Sequence, residues 1–362
     1  MKRYSKKDRE EWVEKNKQME QEMTDRIKSI GESFINDPAA IAEALAFGSQ
    51  FYRYSERNIT LIYSQKRDAQ YIQSFPAWKK MGYSVKRGET GLKIWVPVKV
   101  TLLNINGNNV PLSEATKEQK EAYRKGDIEG KVISRFKIGT VFDIGQTTFP
   151  PEDYPKLFSV GYPSELHEDL CKGVADFAKD VIHCDVKYED LSSATLRGFY
   201  SRDLNQIVIN SSLKGTQKLS TLCHELGHAL RHNTVSKLST HGKELEADAV
   251  SVMIESGLGL ELTDARKDHL ADHYRDFKAE IKQELGKDFT DEAMIQKIDD
   301  MLSSVYSTYN DIVEDLNKSI EKYVPQERLL EYQKNNEVSH EQLPKKDIDV
   351  APEMDMDYDL EM

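Results

Sequence analysis

Apolar residues recur at three- and four-residue intervals near the start of the chain, at Trp12, Met19, Met23, Ile27 and Ile30. That period predicts helices over residues 5–48, with Asp37-Pro38 starting one of them and proline at its first helical position. From Phe51 to Val100 aromatic rings alternate with cations, and the Lys93–Val98 run reads as a strand. Gly88 and Gly91 precede it in a tight turn where positive φ is expected. Residues 104–130 are polar and punctuated by glycine, which predicts an inserted loop with one short exposed helix. Pro150, Pro151, Pro155 and Pro163 preclude a continuous helix or central strand and mark residues 148–163 as a linker.

Beyond the prolines, Leu166, Leu170, Val174, Phe177, Ala178 and Val181 trace one face of an amphipathic helix, and 185–191 reads as extended. Arg197-Gly198-Phe199-Tyr200, a turn at Ser201-Arg202-Asp203 and the run Gln206–Asn210 form a hairpin, in which Ile207–Asn210 is expected to be an edge strand open to an extended peptide. Leu219, Leu222, Leu226 and Leu230 predict the next helix, and residues 243–253 another. Between 262 and 322 apolar stripes that include Leu270, Phe277, Ile298, Val305 and Leu316 predict helices packed on a core. His269 and His273 repeat a four-residue spacing there and read as surface residues. From about Val324 the chain turns polar and ends in seven carboxylates without a cation, so 324–362 is expected to be a disordered acidic tail.

With 362 residues the chain has room for two or three domains. No apolar run is long enough to span a bilayer and the N-terminus lacks an apolar signal core, so a soluble cytoplasmic protein with no membrane partner is expected. Cys171, Cys184 and Cys223 are odd in number and lack C-x-x-C spacing, which argues against a disulfide framework or a cysteine zinc knuckle. The net charge of −12 conceals an asymmetry: residues 51–100 hold ten Lys and Arg against three Asp and Glu, whereas 241–362 hold fourteen against thirty-one. The basic segment points to a polyanion and the acidic one to a solvated surface.

Chemistry concentrates in TLCHELGHALRH, residues 221–232. On a helix His224 and His228 share a face, so both imidazoles can reach one ion while Glu225 stands beside a water bound to it, the arrangement of a zinc hydrolase. Gly227 and Ala229 allow close approach of a second helix or a substrate. A third protein ligand should lie downstream. The metzincin pattern fails, since Arg231 and Thr234 stand where it needs Gly and His. His232 lies about 12 Å along the axis from His224, too far to share the ion, and reads as a helix-end or cleft residue. In the 243–253 helix, Glu244 can bind the metal while Asp248, one turn on, accepts the outer N–H of a ligand histidine. Glu246, about 200° around from Glu244, should then face solvent. Tyr200 and His232 are both candidates for stabilising an oxyanion.

In the basic segment, Lys and Arg suit phosphates, and exposed rings suit the bases of single-stranded DNA. Of Phe51, Tyr52, Tyr54, Tyr63, Tyr71, Phe75, Trp78, Tyr83 and Trp95, half or more are expected in a core, and spacing alone does not sort them. The blocks YSERNITLIYSQ, SFPAWKKMGYSVKRGETGLKIWVP and VFDIGQT resemble, in order, the N-terminal domain of ArdC-type antirestriction proteins and the related LtrC-like proteins of conjugative elements. Asn58, Gln65, Trp78, Lys86, Gly88, Gly91 and Gln146 carry that resemblance, which implies single-stranded DNA binding. The contacts are expected from Arg53, Arg57, Asn58, Gln65, Trp78, Lys79, Lys80, Lys86, Arg87 and Lys93.

The order helix, hairpin, HELGH helix resembles zincins of the ImmA/IrrE type, whose third-ligand block E-x-x-A-[DN] matches Glu244 to Asp248. Resemblance and spacing together assign His224, His228 and Glu244 to Zn2+, Glu225 to catalysis and Asp248 to support. The expected fold is α+β. A single-stranded-DNA-binding domain (1–147) and the linker precede a zincin-like metallopeptidase domain (164–262), a helical extension (263–323) and the tail. The resemblances imply a protein of a mobile element, acting in antirestriction or the protection of transferred DNA, with a protein or peptide substrate possible. The alternative is an ImmA/IrrE-type peptidase that cleaves a regulator such as a repressor.

Overall fold

The computed structural model describes residues 6–105, 107–150, 166–191, 196–234 and 238–325. Most of the expected linker and the acidic tail beyond Pro325 lie outside the described residues. Contacts divide the described residues into two compact units, one containing residues up to Arg26 and Tyr71–Thr148, the other Ile27–Gln70 and the described residues between Phe149 and Pro325. These units cut across the linear boundaries read above: 27–70 lies in sequence between the two parts of the first unit yet packs with the second.

In the first unit, helix α1 (Lys6–Asn36) supplies its N-terminal part. A four-stranded antiparallel sheet has the order β1 (Ile72–Ser74), β4 (Gly130–Asp143), β2 (Leu92–Ile105), β3 (Asn108–Pro111). Strands β2 and β4 pair along their length, from Leu92 opposite Val141 to Leu103 opposite Gly130. Alternation explains the faces: Leu92, Ile94 and Val96 are buried, while Lys93, Trp95 and Lys99 point the other way. Residues expected as a loop after 104 begin as a hairpin, with β3 returning along β2. Helix α5 (Lys117–Lys125) is the expected short exposed helix, with a Thr116/Gln119 capping box.

Helix α4 (Phe75–Lys80) follows β1 and buries Trp78, whose Nε1 donates to the Phe142 carbonyl at 2.9 Å. Gly88 has the expected positive φ of 92°, but Gly91 does not; a Cβ there would lie 2.8 Å from the Phe142 ring. Gln146 closes this region by accepting from Asp143 N at 3.0 Å and donating to Thr90 O at 2.9 Å.

The second unit is built around helix α8 (Thr240–Gly257), which packs against α2 (Ala39–Gln50), α7 (Gly215–Arg231), α9 (Asp264–Leu285) and α10 (Asp291–Glu321). Leu245 to Glu255 of α8 are buried without interruption, as a helix enclosed on several sides requires. Pro38 occupies the cap of α2, one position before the expected one. Helix α3 (Glu56–Gln65) contacts α2 and α10, and α6 (His167–Asp180) contacts α7 and α10.

A three-stranded sheet has the order β5 (Asp185–Glu189), β7 (Gln206–Asn210), β6 (Gly198–Ser201). Strand β7 pairs in parallel with β5 and antiparallel with β6, and every one of its residues is buried. It is therefore the central strand, not the expected edge, and both its ladders are already taken. The free edge on the hairpin belongs to β6. The architecture is α+β, and no helix among the described residues is long and apolar enough to cross a membrane.

Candidate metal centre

Helices α7 and α8 meet at Gly227, where a Cβ would stand 2.5 Å from the Ala247 carbonyl oxygen. This close crossing sets His224 and His228 of α7 against Glu244 of α8. The two Nε2 atoms are 3.2 Å apart, and Glu244 Oε2 lies 3.4 Å from one and 3.5 Å from the other. Three donors about 2.0–2.1 Å from a tetrahedral zinc stand about 3.3 Å apart, so the triangle fits that ion. The donor set, two imidazoles and one carboxylate, suits it equally well. The electrostatics agree. Burial pulls His224 down, but hydrogen bonds to Asp248 and Glu244 outweigh it and push its pKa up to about 10. Hydrogen bonds from His224 and His228 hold Glu244 well below the usual carboxylate range. The pocket is thus a strong field for a cation.

Glu225, the next residue round the helix, is 7% exposed. Burial raises its pKa, against the pull of His224 and His228 and, more weakly, of the nearby Tyr200 backbone N–H on β6. A carboxylate shifted upward in this way is a stronger base than an ordinary one, which suits it to taking and returning a proton.

Asp248 lies behind His224, with Oδ1 3.4 Å from Nδ1, as expected. Arg266, which the sequence did not single out, binds both Asp248 oxygens from Nη1 at 2.7 and 2.8 Å and reaches Glu255 through Nε at 3.3 Å. Glu255 also accepts from Ser220 at 3.0 Å and Ser251 at 2.6 Å. Burial opposes ionisation of Asp248, but His224 and Arg266 hold its carboxyl well below the ordinary range.

Glu246 does not face solvent. It is 3% exposed, with Oε1 2.8 Å from Arg231 Nη2 and Oε2 3.0 Å from His232 Nε2. Helix α8 has neighbours on every side, so the side opposite Glu244 is not left to solvent. His232 caps α7, is 8% exposed, and has Nδ1 2.9 Å from His228 Nδ1. Tyr200 donates its hydroxyl to Asn205 in the hairpin turn at 3.0 Å. Tyr200 and His232, the two expected oxyanion candidates, both line the cleft at the site while making these contacts.

A cleft of about 560 Å³ opens on the site between the hairpin, Gly198 to Asp203, and Thr240, Lys243 and Glu244 at the start of α8. Asp248, His269 and His273 also bring three donor atoms within 4.8 Å of one another. Both oxygens of that carboxylate are committed to Arg266, so this second group lacks uncompensated negative charge. His269 is exposed and His273 half-buried.

The expected DNA contacts separate into groups. Arg53, Arg57, Asn58 and Gln65 belong to the second unit, the others to the first. Trp78 is fully buried and has no ring face for a base, so it is a core residue. Asn58 is buried, and Gln65 donates to Leu61 O of its own helix at 2.8 Å. Lys86 binds the Gly145 carbonyl at 3.1 Å and Lys93 the Thr140 hydroxyl at 2.7 Å. Lys79, Lys80, Lys86 and Arg87 are exposed. Phe136, not among the expected contacts, is 66% exposed and opposite Pro97 on the sheet face that carries Lys93, Trp95 and Lys99. Of the nine aromatics in question, Phe51, Tyr63 and Trp78 are buried and Phe75 is exposed; the rest are half-buried.

Residues 14–142 match the N-terminal domain of anti-restriction factor ArdC, and residues 180–283 match the IrrE N-terminal-like domain, Peptidase_M78. An uncharacterized Bacillus anthracis protein, pXO2-81, is 27% identical over 343 residues, which cover 89% of this chain and 56% of that protein. The chain thus spans little more than half the length of that relative. The crystal structures of the antirestriction ArdC protein from the R388 plasmid, metal-free and Mn(II)-bound, are 18% and 17% identical, with TM-scores of 0.40 and 0.37. They cover 75% and 74% of this chain, and the matches span 86% and 85% of theirs.

Proposed function

We propose that this chain, which joins an ArdC-type N-terminal domain to an IrrE-like peptidase domain, is a zinc-dependent peptidase coupled to single-stranded DNA binding, acting in antirestriction or the protection of transferred DNA. The observation that carries the reading is the triangle of His224, His228 and Glu244 donors, 3.2–3.5 Å on a side, beside the buried carboxylate of Glu225. His224, His228 and Glu244 hold the ion. A bound zinc supplies Lewis acidity, which polarises a carbonyl and acidifies water. Glu225, buried beside the two histidines, takes a proton from the attacking water and returns it to the leaving amine. The free edge of β6 offers main-chain groups to an extended peptide, and Asp248 orients His224.

For DNA, the support is the sheet face bearing Trp95, Phe136, Lys93 and Lys99, with Lys79, Lys80, Lys86 and Arg87 as exposed cations of the same unit. Rings supply stacking and cations neutralise phosphates. Metal analysis of wild type and Glu244→Ala, run beside single-strand binding, tests both halves. The expected result is one zinc per chain lost in the variant with DNA binding intact. Full metal in Glu244→Ala overturns the ligand assignment, and salt-insensitive or absent DNA binding overturns the other half. The match of residues 180–283 to the IrrE-type domain favours a second reading, cleavage of a repressor, which requires that induction of downstream genes depend on Glu225.

A further inference from the structure

We propose that His232, carried by Glu246, is a positioning residue for the metal, holding His228 in the tautomer and orientation that present Nε2 to the ion. The inference rests on the metal-site reading above. It follows from counting protons along a chain of contacts. Glu246, paired with Arg231 at 2.8 Å, is an acceptor, so His232 Nε2, 3.0 Å away, carries the hydrogen between them. Were His232 to donate from both nitrogens, His228 Nδ1 would have to accept and its Nε2 would carry the proton, unable to bind an ion; with His228 a ligand, His232 is the neutral tautomer with a bare Nδ1. His232 Nδ1 therefore accepts, and the hydrogen on the 2.9 Å contact belongs to His228 Nδ1. His228 Nε2 is then left with its lone pair, and it lies 3.2 Å from His224 Nε2 and 3.5 Å from Glu244 Oε2. One carboxylate thus sets two tautomers in succession.

The relay is built into the packing. His232 and Glu246 are 8% and 3% exposed. Arg231 also donates to Thr308 at 3.1 Å and to Ser304, tying the relay to α10. The two ligand histidines are consequently backed by similar means, a carboxylate held by an arginine. Asp248 serves His224 directly, whereas an extra imidazole stands between Glu246 and His228.

The test is Zn2+ affinity of the full chain, measured by competition with a chromophoric chelator, with thermal unfolding of the metal-free protein as the control for folding. His232→Ala is expected to bind zinc about 10- to 100-fold more weakly, the range for loss of a partner behind a ligand histidine. His232→Asn, whose side-chain oxygen can stand where Nδ1 accepts, should recover affinity to within about threefold of wild type on the same principle. Histidine-selective 15N NMR of zinc-loaded wild type should show His232 protonated on Nε2, and this readout needs no variant to fold. Affinity within twofold of wild type in folded His232→Ala, equal losses in the Ala and Asn variants, or the opposite His232 tautomer overturns the proposal. Wild type that binds no zinc, or His228→Ala that binds it normally, overturns the metal-site reading instead.

Discussion

Gly227 of α7 lies against the backbone of Ala247 of α8, so close that a methyl group on the glycine would meet the Ala247 carbonyl oxygen at 2.5 Å. The separation of the histidines from Glu244 is set by that contact. Gly227→Ala gains up to about 1 kcal/mol of helix propensity but incurs about 1–3 kcal/mol of overpacking. It should lower Tm and weaken zinc binding together. Unchanged Tm and zinc affinity would show that the crossing has slack.

Glu225→Gln keeps the shape of the side chain and removes its basicity. Peptidase turnover should fall by about 10²- to 10⁴-fold while zinc content and single-strand binding stay at wild-type levels. A variant that retains turnover would remove Glu225 from the mechanism.

Zinc that binds only the folded chain must raise its stability. At free zinc about 100 times Kd the gain is about 2.7 kcal/mol, so chelation should lower Tm in wild type and leave Glu244→Ala unmoved. Equal chelator effects on both proteins would place the ion elsewhere.

Trp78 and Phe136 should behave in opposite ways. Trp78→Ala empties a fully buried site and breaks the bond to the Phe142 carbonyl, at about 3–5 kcal/mol of stability. Phe136→Ala should leave Tm unchanged and weaken single-strand binding by about 1–3 kcal/mol. Normal binding by Phe136→Ala would move the DNA surface off this sheet face.

What could be read in the sequence was what depends on neighbours in the chain. The spacing that brings His224, His228 and Glu225 onto one turn, and the four-residue step from Glu244 to Asp248, are properties of a helix alone. The fate of Glu246 depended on tertiary packing, on Arg231 and His232 at the end of α7 and, through Arg231, on α10, far along the chain. Arg266 was illegible for the same reason, since its partners Asp248 and Glu255 are on another helix. The order of strands also escaped, because β7 is central only through its parallel pairing with β5. Several residues that carry the resemblance in the first unit, such as Trp78, Gln146 and Gly91, hold turns and strands together. A family resemblance built on them speaks for the fold more strongly than for the DNA surface.

The free strand edge beside the cleft is only four residues long, Gly198 to Ser201. Such an edge spans about 13 Å, and an antiparallel strand turns the main-chain groups of only every second residue to one side. On the proposed function, grip of that size holds an extended segment without reading much of its sequence. Selection then has to come from which chains are brought near the cleft. A domain that localises the protein on single-stranded DNA would supply it, making place rather than sequence the determinant of what is cut.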